Sequence, residues 1–292
     1  MRRSLFCWMA GFLLLAGVSG AESIPAKLTL GGGRVWSGEL LGRDGDWIEF
    51  QKSGSRKPLR IGASTVKKID FTVNVDAKKI SALMRDRNFA DAIRLLKLAI
   101  SPFSAYSDVP SNLTRYNLLL MELLYQAGDY EASLEISSKI AEDTKDDSTY
   151  KRKAIVYQIL ALVDSGQKEK ADEALAAHGW DQLPPDDASA ERLYITAKVL
   201  MGKGEYQKAI ELASKVVAFY SQDPDWAQPA ELLCAELYIK LGRYESAEEV
   251  CREISIFYKD TLESDAAKRL KIKIEKLRAQ ERLKESLKSG EA

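Results

Sequence analysis

Histidine is nearly absent: the 292 residues contain one, His178. Acid-base, nucleophilic and metal chemistry lean heavily on imidazole, so a single ring closes off most enzyme classes and implies neither a catalytic centre nor a metal. His178 falls where a helix is expected to end, a position that suits capping or plain surface. No phosphate-cradling loop is present either. Gly31, Gly32 and Gly33 lead into a strand-like run rather than a helix, so the helix N-terminus that would hold a phosphate is missing and no cofactor is implied. Charge of one sign is lacking as well: 43 basic residues face 43 acidic ones, which leaves no global field to draw in nucleic acid or an anionic membrane. Recognition must therefore depend on local surface. The acidic pairs Asp146-Asp147 and Asp186-Asp187 lie between helical segments, where carboxylates favour the start of the next helix. A carboxylate-dependent enzyme is the reading these pairs would serve, and nothing else in the chain supports it.

The N-terminus is where the chain first shows a pattern. Met1, Arg2 and Arg3 precede an apolar run from Leu5 to Val18, followed by Ser19, Gly20 and Ala21 before the charge at Glu22. This is the layout of a secretory signal, with cleavage expected near Ala21. The run is shorter than the roughly 20 residues of a membrane-spanning helix, so stable insertion after cleavage is not expected. Cys7 lies inside the apolar stretch rather than just after it, unlike a lipoprotein signal. The mature product is expected to be periplasmic or secreted.

From residue 22 to 74 the text becomes β-rich, with glycine and charged turns between short runs. The strands expected are Lys27 to Leu30, Arg34 to Leu41, Trp47 to Gln51, Pro58 to Ile61 and Thr65 to Phe71. Such short strands suit a small closed barrel, because closure removes exposed edges. The run LTLGGGRVWSGELLGRDGDWIEF resembles the first half of an Sm-like or SH3-like barrel, with Gly38 permitting a bend in the second strand. The export signal speaks against carrying over the RNA binding found among Sm-like proteins, so the barrel is expected to act as an adaptor or to cover the end of a helical array.

From residue 75 to 260 helical periodicity takes over, and a phrase recurs: a turn residue, a spacer, an aromatic, two spacers and a small residue. It occurs at Phe89/Ala92, Tyr130/Ser133, Lys168/Ala171, Tyr206/Ala209 and Tyr244/Ala247, with steps of 41, 38, 38 and 38 residues. Other columns keep the 38-residue step, among them Leu124, Leu162, Leu200 and Tyr238, as a real repeat requires. Each unit reads as a helical hairpin closed by a turn glycine. The segment SPFSAYSDVPSN in the longer first gap reads as a proline-bearing linker. Residues 261–292 read as a final long helix whose stripe Ala266, Leu270, Ile274 and Leu277 covers the open end, while nine basic residues from Lys268 to Lys288 face water.

These shared columns resemble the tetratricopeptide repeat, and the C-terminal segments are similar to repeats of bacterial envelope-assembly proteins. Departures are the 38-residue step in place of the family's shorter one, Lys168 in an aromatic place, and Met121 and Ile159 where the family usually has a small residue. The resemblance implies an all-α solenoid of about five hairpins with a capping helix, and a concave groove lined by the first helix of each hairpin. Matching groove positions are Arg115, Glu122, Tyr125, Lys153, Tyr194, Lys198, Glu236 and Lys240, a mixture of tyrosine and both charge signs that suits a protein or peptide partner. An ordinary solvated face would show the same mixture. By the same resemblance Cys234 and Cys251 sit on facing helices of the fifth hairpin, as a disulfide or as two small buried hydrophobes. Function is expected to be that of a non-catalytic scaffold, with a self-assembling structural component as the rival reading.

Overall fold

The computed structural model describes residues 23–142, 148–182 and 189–290. Residues 1–22, where an export signal is expected, and Asp146-Asp147 and Asp186-Asp187 lie outside the described residues. The chain divides into two compact units.

The first unit runs through Thr72 and also takes in Phe103–Asn112. Its strands are β1 (Ile24–Leu30), β2 (Val35–Asp44), β3 (Trp47–Lys52), β4 (Leu59–Gly62) and β5 (Val66–Phe71). All pairings are antiparallel, in the order β4-β3-β2-β1-β5. Alternation along the strands buries Leu28, Leu40, Ile48, Phe50 and Ile69 completely on one face. Gly38 lies so close to β3 that an added Cβ would stand 2.1 Å from the Gln51 carbonyl oxygen, and a register shift follows between Leu40 and Gly42. The sheet is open rather than the closed barrel that its short strands suggest, with no ladder between β4 and β5 among the described residues.

The physical reason lies in the segment with the sequence of a linker. The Ile69 amide donates to the Pro110 carbonyl at 2.9 Å, the Asn112 amide to the Ile69 carbonyl at 3.2 Å, and the Asn112 side chain both accepts from the Phe71 amide and donates to its carbonyl, each at 2.9 Å. Residues 110–112 thus occupy the β5 edge that closure would otherwise have to protect. Phe103 and Tyr106 pack on Phe71, with ring centroids 4.7 and 5.9 Å away, and Arg43 forms a two-toothed ion pair with Asp108 while donating to the Ala105 carbonyl at 2.8 Å. SPFSAYSDVPSN is therefore mostly a structural part of the β unit.

The second unit, Val73–Pro102 with the chain from Leu113 onward, is five hairpins and a cap. The hairpins are α1 (Ala77–Arg85) with α2 (Phe89–Ile100), α3 (Thr114–Gln126) with α4 (Tyr130–Glu142), α5 (Ser148–Asp164) with α6 (Lys168–Ala177), α7 (Ala190–Lys203) with α8 (Tyr206–Phe219), and α9 (Pro224–Lys240) with α10 (Tyr244–Phe257). Every phrase residue Phe89, Tyr130, Lys168, Tyr206 and Tyr244 is the first residue of a second helix. The small residues three positions on, Ala92, Ser133, Ala171, Ala209 and Ala247, are all buried, so the repeat columns occupy equivalent niches. Ser133 tolerates this because its hydroxyl donates to the Met121 carbonyl at 3.0 Å. Gly128, Gly166, Gly204 and Gly242 hold the turns with φ between 71° and 84°, a conformation that favours glycine. The cap is α11 (Leu262–Gly290).

Two details of the cap differ from the sequence reading. Ala267, not Ala266, enters the core, while Leu270, Ile274 and Leu277 do so as expected. Arg278, one of the nine basic residues expected to face water, instead donates to Glu248 at 2.9 Å and Glu245 at 2.7 Å, tying the cap to α10. Cys234 and Cys251 are both free and buried. The disulfide offered as one reading is not formed, because the two thiols belong to different packing layers. Cys234 lies 3.9 Å from the Ser214 hydroxyl of the preceding hairpin, whereas Cys251 packs with Ala267 and Ile274 of the cap. Burial pushes both thiols up to about 11, in keeping with inert core residues.

Candidate functional site

The first helices α3, α5, α7 and α9, together with the start of α11, surround a cavity of about 840 Å³. They can do so because the small-residue columns draw each second helix close, which leaves the opposite faces of the first helices turned to a common interior. Its walls are aromatic: Tyr125, Tyr130, Tyr157, Tyr194 and Trp226 all contribute. Tyr125 meets Tyr157 edge-on at 5.3 Å and Tyr130 at 5.5 Å, and Tyr194 lies 5.8 Å from Trp226.

Lys198 forms the floor and is anchored by an ion-pair network behind the lining. Asp164, the last residue of α5, accepts from Lys198 Nζ at 2.9 Å on one carboxylate oxygen and from the Tyr125 hydroxyl on the other. The pair is well covered, with 12% of the Lys198 side chain and 21% of the Asp164 side chain exposed. Burial alone would pull the Lys198 ammonium down, but Tyr194, Asp164 and Glu236 more than offset it and its pKa is raised. Burial also raises the Tyr125 and Tyr194 phenols, the latter to about 12, so both stay protonated and able to donate. Glu236 is raised too, by burial against the attraction of Lys198. Further along the rim Lys153 pairs with Glu122 at 2.6 Å, and Arg152 pairs with Glu191. These contacts join α3 to α5 and α5 to α7, so the charges of the groove also register neighbouring hairpins.

Of the residues expected to line the groove, Glu122, Tyr125, Lys153, Tyr194 and Lys198 line this cavity. Arg115, Glu236 and Lys240 do not. Arg115 folds back over its neighbour Tyr116, 4.6 Å from the ring centroid, and Lys240 is exposed at the last residue of α9. Sequence reasoning missed Arg152, Tyr157, Glu191, Trp226, Glu263 and Arg269. Glu191 was within reach, since it stands one 38-residue step beyond Lys153. The α11 residues were not, because nothing in a capping stripe announces that its neighbouring face closes a cavity. Pro229 also lines the cavity within α9; lacking an N–H, it cannot donate to the Asp225 carbonyl.

A second, smaller cavity of about 520 Å³ is bounded by Lys151, Arg152, Ile155, His178, Trp180, Ser189 and Arg192. His178 caps the C-terminal end of α6, and its pKa is lowered by burial and by Lys151. Among the described residues no cluster of three or more His, Cys, Asp or Glu is arranged to hold a metal ion, and no helix is long and apolar enough to cross a membrane.

Residues 200–271, from the end of α7 into α11, match the tetratricopeptide-repeat family model. Among solved structures, MamA from residue 41 to its end, from Desulfovibrio magneticus RS-1, is 15% identical, with a TM-score of 0.36 over 63% of this chain and 94% of that one. The tetratricopeptide-repeat domain of P58(IPK) is 17% identical, with a TM-score of 0.33 over 70% of this chain and 55% of that one. Comparison with curated proteins finds no match.

Proposed function

We propose that this chain, a solenoid of tetratricopeptide type carrying a small β unit, is an exported non-catalytic scaffold that holds a protein or peptide segment in the groove of its first helices. The observation that carries this reading is the aromatic cavity, in which Lys153, Glu122, Arg152, Glu191 and Lys198 are held in ion pairs. Tyr125, Tyr157, Tyr194 and Trp226 offer contact area at low entropic cost, while Lys153–Glu122 and Arg152–Glu191 hold the walls in register. Its volume falls in the range of about 300–1,000 Å³ typical of sites for compact ligands, which fits a short segment rather than a whole domain. Export follows from the signal layout of residues 1–21, and the product then works in the periplasm or outside the cell.

The test is affinity capture from envelope extracts with the wild-type chain and with Trp226→Ala, a groove-wall change that leaves the floor ion pair intact. Defined partners recovered by the wild type and lost with Trp226→Ala support the reading. Partners retained equally by both would refute it.

A second reading, self-assembly, is favoured by Ile272, Leu283 and Leu287, which stay exposed on α11. Sedimentation across a range of concentrations decides it: a monomer throughout rules self-assembly out, and association abolished by Leu283→Glu establishes it.

A further inference from the structure

The turns at the two ends of the helical unit meet each other. Four hairpin turns place glycine in the left-handed conformation, but in the first hairpin that position is Arg87, with φ 59°. Among the described residues one other non-glycine has a positive φ: Asp260, at 64°, in the turn between α10 and α11. These two residues are in contact. Arg87 Nη2 donates to the Asp260 carbonyl at 2.9 Å, and Arg87 Nε donates to Asp265 on α11 at 3.3 Å. Each backbone is held where glycine would be more comfortable, and what each position gains is a contact between segments 173 residues apart.

We propose that this contact is a clasp which closes the row of hairpins around the groove and so regulates entry to it. In a solenoid each hairpin otherwise touches its neighbours, so parting the clasp disrupts no hydrophobic layer. Asp265 stands between Glu263 and Ala266, both of which line the cavity from α11, while Glu122, Tyr125 and Tyr130 line it from α3 and α4. Movement of the α10–α11 turn therefore moves one wall of the cavity relative to the other. The ion pair is also partly exposed, 31% at Arg87 and 37% at Asp265, so salt screens it and it opens before any core contact does. The consequence for partner entry rests on the groove reading above; the clasp itself does not.

The test places a reporter cysteine on the groove wall of the full chain, Gln228→Cys, and compares its reaction rate with a bulky and with a small maleimide, subtracting the same chain without the reporter. Arg87→Gly deletes the guanidinium while suiting the turn conformation, so the hairpin is expected to fold; Asp265→Asn is the second variant. The bulky-to-small rate ratio is expected to rise about fivefold in Arg87→Gly, to rise in Asp265→Asn, and to rise in the wild type in high salt. A ratio unchanged in Arg87→Gly and in salt overturns the clasp, whatever partners the groove recovers. A raised ratio in a chain that captures no partner sustains the clasp and sinks the groove reading instead.

Discussion

Replacing Lys198 by methionine tests the groove floor most directly. The side chain is nearly isosteric along its stem, so the change removes the ammonium with little loss of packing. Among the described residues, Asp164 then keeps the Tyr125 hydroxyl as its one remaining side-chain hydrogen-bond donor, inside a site where 21% of its side chain is exposed. Removing one partner of a fully buried ion pair costs about 3–5 kcal/mol, and the residual exposure and the tyrosine donor reduce this to about 2–3 kcal/mol. Asp164→Asn should cost a similar amount, by stranding the ammonium. The double variant Lys198→Met/Asp164→Asn removes both charges and should lie within about 1 kcal/mol of the wild type, giving a coupling of about 2 kcal/mol or more. Thermal unfolding followed by the helical far-UV signal reads this out, since about 2–4 °C accompanies each kcal/mol in a unit of this size. Lys198→Met should therefore melt about 4–12 °C low, with most of that regained in the double variant. A shift under about 1 °C for either single variant would mean the pair behaves as a surface bridge, and the reasoning about a covered floor would be wrong.

Other outcomes are expected of the same structure. Gly38→Ala should unfold the β unit or cost it about 3 kcal/mol or more, because the new Cβ would lie 2.1 Å from the Gln51 carbonyl; tryptophan fluorescence of Trp36 and Trp47 reports it. Glu236 has a raised pKa in the folded state, so the native chain binds more protons than the unfolded one between the ordinary glutamate value and the raised one. Its contribution to stability is thus least favourable above that window and improves as pH falls through it. Glu236→Gln should raise the melting temperature at neutral pH and lose that advantage below the ordinary glutamate range. Cys234 and Cys251 should each titrate as a free thiol after unfolding under non-reducing conditions, and should react at least about tenfold more slowly in the native state; failure to detect both thiols would contradict the packing of the fifth hairpin.

The hairpins were legible because their signal is local and repeated. A turn glycine, an aromatic and a small residue at fixed offsets recur at the 38-residue step, and each small residue proves to be a buried point of close approach. The five strands were legible from alternation, and Gly38 from its place within the second. Part of the groove was legible on the same ground, since Glu122 and Lys198 share one column and Lys153 anticipates Glu191. Arg115 misled because a position on the right helix face says nothing of whether the side chain reaches inward or folds over Tyr116.

Periodicity along the chain determined what repeats: the helical hairpins, their turns and the residues they bury. Tertiary structure alone decided what meets across sequence distance. It joined Arg43 to Asp108 and Asn112 to β5, turning a linker into the cover of a sheet edge that was expected to close on itself. It sent Cys234 and Cys251 into separate layers, set Asp164 between Tyr125 and Lys198, and brought Arg87 to Asp260. The physical reason is that a repeat column records only burial against the next hairpin, which any suitably sized side chain satisfies. Hydrogen bonds and ion pairs depend on direction and distance between particular atoms, and no spacing in the sequence encodes those.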